Sequence, residues 1–294
     1  MRVLITGSTG LLGTALAARL EERGDEAVGL RRGPDRNRIG WDPASGWIHP
    51  AALEGYDAVV HLAGKPISPP FTARRMEAIR ASRVEGTRLI AAEVVRHRPR
   101  VFVSASAIGY YGNRGDEILT EQAPPGTGFL ADVCRAWEEA TSPARDAGVR
   151  TVMIRTGLVL ANEGGLFPRI TLPFKLGLGG PVGPGTQWWS WITLVDHVAA
   201  TLRCIDDPDL EGPVNLTAPE PTRNRDFARE LGRRLRRPAR VRVPAWALRL
   251  ALGRAADELV LASQRVLPAR LQQAGFRFSH PDLESALSWL IGDR

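Results

Sequence analysis

The sequence predicts an α/β chain: a doubly wound parallel sheet followed by a smaller, mostly α-helical C-terminal module. Three observations predict it. Short strands that are apolar along their whole length alternate with helical segments, the pattern of a parallel sheet covered on both faces. A glycine-rich turn, GSTGLLG at residues 7–13, falls at the first strand-to-helix junction. Past about residue 160 the texture changes, first to glycine, proline and tryptophan and then to helix.

The elements follow in order. Arg2 to Thr6 (RVLIT) reads as a strand, and Thr14 to Arg23 as a helix closed by Gly24. Further strands are expected at Glu26 to Leu30, Ala58 to Leu62, Val101 to Ser104 and Arg150 to Arg155. Helices are expected at Arg74 to Arg96 and Leu130 to Ala147. Leu172 to Gly185 reads as loop, and QWWSWI at residues 187–192 follows it. A helix at Thr193 to Ile205 and a strand at Val214 to Leu216 are expected to return to the sheet. Helical patterns then cover Asn224 to Leu235, Pro244 to Ala262 and Asp282 to Ile291. The expected division is residues 1–165 as a nucleotide-binding domain, with 193–217 returning to it, and 166–294 as a substrate-side and C-terminal module.

The 294 residues are 24% charged and 44% hydrophobic, which excludes wholesale disorder, collagen and coiled coil. Cys134 and Cys204 lie too far apart in sequence for a zinc knuckle, and no metal site is expected. Two thiols in a chain of this size fit a reducing compartment. No apolar run reaches about 18 residues, and MRVLITG carries no signal-peptide pattern, so a cytoplasmic location without a membrane partner is expected. The net charge is +7. Its densest stretch, Arg229 to Arg242, lacks interleaved aromatics and reads as a solvated helix face, so no nucleic-acid partner is expected. The partner is a small molecule, and the chain is expected as a monomer or homodimer.

Gly7, Gly10 and Gly13 stand where a pyrophosphate would meet the free N–H groups of a helix N-terminus. Glycine there makes the turn tight and lets the backbone approach the ligand. The end of the second strand selects the dinucleotide. An acid would bind a ribose 2′-hydroxyl, whereas this strand ends in Arg31 and Arg32, which suit a 2′-phosphate. NADP(H) is therefore expected over NAD(H).

Several stretches extend the reading: LITGSTGLLG (4–13), DAVVHLAGKPI (57–67), VSASAIGYYG (103–112), GFLADVCRAWEEA (128–140), RTGLVL (155–160), LPFKLGLGGPVGPGTQWWSWITLVD (172–196) and RVLPARLQQAGFRF (265–278). With these the chain resembles, over nearly its whole length, an atypical extended short-chain dehydrogenase/reductase. More closely it resembles the epimerase-like family related to cell-division-inhibitor-like proteins, which carries an extra C-terminal domain of unknown function. The resemblance implies a Rossmann domain with bound NADP(H). Gly7, Ser8, Thr9, Gly10, Leu11, Leu12 and Gly13 would hold the pyrophosphate, and Arg31 and Arg32 the 2′-phosphate. Leu62, Ala63 and Gly64 would line the adenosine ribose, with contacts from Arg83 and Ser104, and Leu158 would lie near the nicotinamide.

The larger superfamily uses a serine after the fourth strand and a Tyr-x-x-x-Lys pair on the next helix. Ser106 matches the serine; the tyrosine and lysine positions fall on Phe129 and Val133, so the pair is lost. Tyr110 and Tyr111 are the candidate replacement acids, with Lys65 a lesser one, and His61 reads as a core histidine. An unperturbed tyrosine, with a pKa of about 10, is only about 0.1% phenolate at pH 7. Without a lysine to lower that value the acid form dominates, which suits carbonyl reduction rather than alcohol oxidation. Trp188, Trp189 and Trp191 form either an apolar substrate wall or an anchor between modules. Lys175 is the only charged residue in 171–192, which argues against a nucleotide-diphosphate sugar. The expected function is an NADP(H)-dependent oxidoreductase reducing a carbonyl of a small, fairly apolar substrate. The alternatives are a catalytically degenerate NADP(H)-binding sensor and a nucleotide-sugar epimerase.

Overall fold

Six strands, all paired in parallel, form the central sheet of the computed structural model, which describes residues 1–33 and 39–292. They are β1 (Arg2–Thr6), β2 (Glu26–Leu30), β3 (Ala58–His61), β4 (Val101–Ala107), β5 (Thr151–Thr156) and β6 (Gly212–Leu216). Their spatial order is β6-β5-β4-β3-β1-β2. The chain leaves β1 towards β2 on one side and returns to β3 on the other. The topological switch point, where such sheets bind ligands, therefore lies between β1 and β3. The helices used below are α1 (Leu11–Glu22), α2 (Ala73–His97), α3 (Phe129–Glu139), α4 (Phe167–Lys175), α5 (Leu194–Asp206), α6 (Asn224–Arg234), α7 (Ala245–Leu252) and α8 (Leu283–Ile291).

Strand alternation divides the core. Val3, Ile5, Val60 and Val103 pack with Leu16 and Leu20 of α1 and with Val198 and Leu202 of α5. Leu4, Val59 and Phe102 point the other way, onto Ile90 and Val94 of α2. Apolar residues at every strand position thus follow from two covered faces. A third cluster joins Phe167 and Phe174 of α4, Trp191, Phe227 and Leu231 of α6 and Leu287 of α8.

Several elements differ from expectation. β4 runs on to Ala107, because the small residues 104–107 continue the ladder opposite Met153–Thr156. The single helix expected over 130–147 breaks after Glu139. Its continuation is a separate short helix, Ser142–Asp146, with proline in the first turn, where the missing N–H is harmless. The loop expected from Leu172 begins inside α4, which carries Pro173 within it. The helix expected over 244–262 stops at Gly253, and a wide turn follows at Ala256–Val260. The tryptophan segment forms two short strands: Trp188–Trp189 pairs with Thr222–Arg223, and Trp191–Thr193 with Leu158–Leu160.

Candidate active site

The glycine turn leaves β1 at the switch point. Gly7 has φ +72°, and a Cβ there would stand 2.9 Å from the Ala63 nitrogen, so the turn is pressed against the chain leaving β3. A Cβ on Gly13 would collide with the Gly7 carbonyl oxygen, so α1 closes directly onto the turn. Gly10 is the N-cap of α1 and supplies no side-chain cap, and no acid occupies the first turn. The N–H groups at this helix end are left facing outward with the positive end of the dipole. The Thr14 hydroxyl donates to the Ser8 carbonyl (3.1 Å) and fixes the turn from within.

Arg31 and Arg32 leave β2 beside this cradle. Both side chains are exposed, and neither has an ion-pair partner among the described residues. A cavity of about 430 Å³ lies here, lined by Arg32, Trp41, Ala63, Gly64, Lys65 and Ser82. Lys65 therefore belongs to this cavity. Arg83 is expected to add a contact to the cofactor. It is buried, stacks on Trp137 (4.9 Å) and donates to the Lys65 carbonyl (2.9 Å), so it bears on this cavity through the 64–65 backbone. Ser104 is likewise sealed inside β4. His61 is the core histidine expected: Nδ1 pairs with Thr6 Oγ1 (2.7 Å), and burial pushes its pKa down to about 3.

A second cavity, of about 620 Å³, opens where β4 and β5 end. The sheet side contributes Ala107–Gly109, Leu130, Cys134 and Thr156–Leu158, and α4 with its N-cap contributes Leu166, Arg169, Ile170 and Phe174. Trp188 and Trp189 form part of the wall, and Phe227, Leu252 and Glu258–Val260 close it from the C-terminal module. Leu158, Trp188 and Trp189 line this cavity. Trp191 does not: it is a core side chain packed with Phe167, Phe227 and Leu287.

The catalytic candidates Ser106, Tyr110 and Tyr111 need a larger correction, because none of them lines this cavity. They are organised instead around the buried Arg155 guanidinium. Arg155 forms a two-pronged ion pair with Glu138, both contacts 2.8 Å. The Ser106 hydroxyl donates to Glu138 Oε1 (2.6 Å). The Tyr111 hydroxyl donates to Asn215 Oδ1 (2.7 Å) and accepts from Arg155 (2.9 Å). Tyr111 is 0% exposed, and burial pushes its pKa up to about 12. The Tyr110 ring lies 3.5 Å from the Arg155 carbon and edge-on to Tyr111. Ser106, Glu138, Arg155, Tyr111 and Asn215 form a buried hydrogen-bonded strut under the site, and the half-buried Tyr110 joins it through its ring.

The helical register is also corrected. Phe129 packs edge-on against Phe71, and Val133 is a core residue. The pair that α3 turns to the cavity is Leu130 and Cys134, one residue later. Burial and the nearby Glu138 carboxylate push the Cys134 thiol up to about 12. Sequence reasoning missed Thr156, Arg169 and Glu258. Thr156 Oγ1 lies 3.0 Å from Nε2 of His197, whose pKa burial lowers to about 4. Glu258 accepts from the backbone N–H groups of Phe129 (3.2 Å) and Leu130 (2.7 Å), 129 and 128 residues earlier in the chain. A contact of that span leaves no local signal; the i, i+4 spacing of Leu130 and Cys134 is one that helical phase offers.

The family profile described as "NAD dependent epimerase/dehydratase family" matches residues 3–216. The chain belongs to that family. A second profile, a domain of unknown function, matches residues 243–290. An epimerase family protein from Mycobacterium leprae is 41% identical to this family member over 290 residues, covering 98% of this chain and 94% of the relative. The crystal structure of the human epimerase family protein SDR39U1 (isoform 2) with NADPH superposes with a TM-score of 0.90 at 32% identity, covering 100% of both chains. That of a nucleoside-diphosphate sugar epimerase from Corynebacterium glutamicum gives 0.83 at 40% identity, covering 99% of this chain and 58% of that one. The extended short-chain dehydrogenase-like architecture with a helical C-terminal domain is thus a property of the family. No helix among the described residues is long and apolar enough to cross a membrane.

Proposed function

We propose that this chain is an NADP(H)-dependent oxidoreductase that reduces a carbonyl of a small, fairly apolar molecule. The glycine turn fits a dinucleotide: side chains at Gly7 and Gly13 would strike the Ala63 backbone and the Gly7 carbonyl, so only glycine lets the turn and α1 close this tightly, and the α1 N-terminus has no side-chain cap. The two exposed arginines at the end of β2 would hold a 2′-phosphate, and the human neighbour, solved with NADPH, supports that choice. Bound in its reduced form, the nicotinamide supplies a hydride.

The observation that carries the substrate reading is the wall of the larger cavity. It is built largely from leucine, isoleucine, phenylalanine and tryptophan, and among the described residues Arg169 is its only lysine or arginine. A nucleotide diphosphate calls for several cations or converging N–H donors. Among the described residues no tyrosine or lysine lines the space, and Cys134 holds its proton throughout the neutral range. The Glu258 carboxylate is engaged by two backbone donors. The cavity therefore presents proton-bearing groups, Cys134 and Thr156, rather than a free base, which suits reduction.

The test follows absorbance of reduced nicotinamide while pure protein and NADPH meet a panel of hydrophobic ketones and enones. Consumption of NADPH is expected. Tight NADPH binding without turnover favours the degenerate-sensor reading, which the absence of a Tyr-x-x-x-Lys pair on α3 supports. Turnover of a nucleotide sugar favours the epimerase reading, which the name of the Corynebacterium neighbour supports.

A further inference from the structure

The rim of the larger cavity carries an unusual surface. Of the twelve large apolar side chains exposed among the described residues, eight lie in residues 166–178 and 241–259. These two segments are one surface: Val241 and Val243 donate their N–H groups to the Gly179 (3.2 Å) and Pro181 (3.0 Å) carbonyls. Leu166, Leu178 and Leu259 belong both to the exposed set and to the cavity wall, so the apolar lining runs outward without a break. Beyond the mouth, Trp246 is 68% exposed and Leu250 83%.

The charge around these side chains is mainly positive: the second segment holds Asp257 and Glu258, but Asp257 is paired with Arg249 (2.9 Å) and Glu258 accepts from the Phe129 and Leu130 N–H groups. Residues 236–256 contain six arginines and no acid, and residues 166–182 contain Arg169 and Lys175 and no acid. Arg240 and Arg254 are exposed and have no ion-pair partner among the described residues. Exposed leucine and tryptophan set among unpaired arginines is the composition of a surface that lies on anionic lipid, with rings and aliphatic chains in the interfacial layer and guanidinium groups at the headgroups. A second copy of the same face fits poorly, since it would bring the same cations together.

We infer that this rim docks the protein on an anionic lipid surface without spanning it. The expectation of no membrane partner came from the absence of a span, which this surface does not require. Docking stands on the rim alone. A second step rests on the proposed cavity function: the substrate enters from the lipid phase through the mouth between α4 and α7.

The test is flotation of the full chain with phosphatidylcholine vesicles, with and without phosphatidylglycerol. Binding to the anionic vesicles only is expected, weakened by salt. W246S/L250S and, separately, R240E/R242E are each expected to weaken it about tenfold or more. None of these side chains lines the cavity, and unchanged thermal unfolding confirms that each variant is folded. Absence of binding at low salt, or binding that both variants leave unchanged, overturns the inference. A concentration-dependent dimer abolished by W246S/L250S also overturns it, in favour of a self-association face. NADPH turnover on soluble ketones is read separately, so failure of docking and failure of the proposed reaction are distinguishable.

Discussion

The Glu258 carboxylate accepts hydrogen bonds from the backbone N–H groups of Leu130, at 2.7 Å, and its neighbour Phe129, at 3.2 Å. The C-terminal module thereby caps the helix that turns Leu130 and Cys134 towards the cavity. Gly128, the residue before that helix, has no side chain to cap it, so the cap arrives from another part of the fold. A carboxylate at a helix N-terminus satisfies orphan donors and complements the dipole at once.

Replacing Glu258 by alanine removes both effects. The expected loss is about 1–2 kcal/mol in stability, measured by urea unfolding. E258Q retains an acceptor and loses the charge, so it should fall between E258A and wild type. Equal stability of all three would show that the cap contributes nothing.

The Arg155 strut predicts unequal outcomes for the buried polar groups. R155M strands the Glu138 carboxylate in the interior and should cost about 3–5 kcal/mol. Y111F should cost about 1–3 kcal/mol, because Asn215 and Arg155 each lose a partner. Neither Y111F nor S106A should reduce kcat/KM by the roughly hundredfold or more expected of a lost general acid. A loss of that size in a folded variant would return Tyr111 or Ser106 to the chemistry.

These corrections show where the sequence was legible. The strand positions, the glycine turn and the return of β6 all rest on local periodicity and composition, and local rules suffice for them. The fate of Tyr111 does not: its hydroxyl partner is Asn215, 104 residues away. Glu258 and Arg155 likewise take their roles from contacts across the fold. Trp191 carried an aromatic signal that fits core and pocket equally, and only strand pairing with Leu158 decides its direction. The one-residue shift from Phe129 and Val133 to Leu130 and Cys134 is a matter of helical phase, set by what α3 packs against.

Buried ionisable groups predict the pH profile of stability. His61 and His197 are pushed down to about 3 and 4, so the unfolded chain takes up protons below about pH 6.5 while the folded one does not. Stability therefore falls as pH drops from about 6.5 towards 4, by about 1.4 kcal/mol per pH unit for each proton. Cys134 and Cys204 are pushed up to about 12, so above about pH 9 the unfolded chain releases protons that the folded one keeps. Stability falls there too. Urea midpoints across this range should form a plateau between the two slopes, and native thiols should resist iodoacetamide at pH 8.

Arg31 and Arg32 predict cofactor discrimination. Reversal of both to glutamate should weaken NADPH binding at least about tenfold, with a smaller effect on NADH, read by titrating nucleotide fluorescence. Equal weakening of both nucleotides would place the arginines away from the 2′-phosphate.

The cavity-facing pair on α3 provides the most demanding prediction. Leu130 and Cys134 stand four residues apart on the face that reaches the site, the spacing of the missing Tyr-x-x-x-Lys. A tyrosine whose pKa is lowered by a neighbouring lysine becomes a base at neutral pH, and a base is what alcohol oxidation requires. The double variant L130Y/C134K should therefore gain NADP+-dependent oxidation of whichever alcohol the wild type forms, while L130Y alone gains little. The same pair built one residue earlier, F129Y/V133K, should gain nothing, since Val133 lies in the core and a lysine there is buried without a partner. Oxidation gained by the earlier pair and not by the later one would show that α3 presents the other register to the substrate.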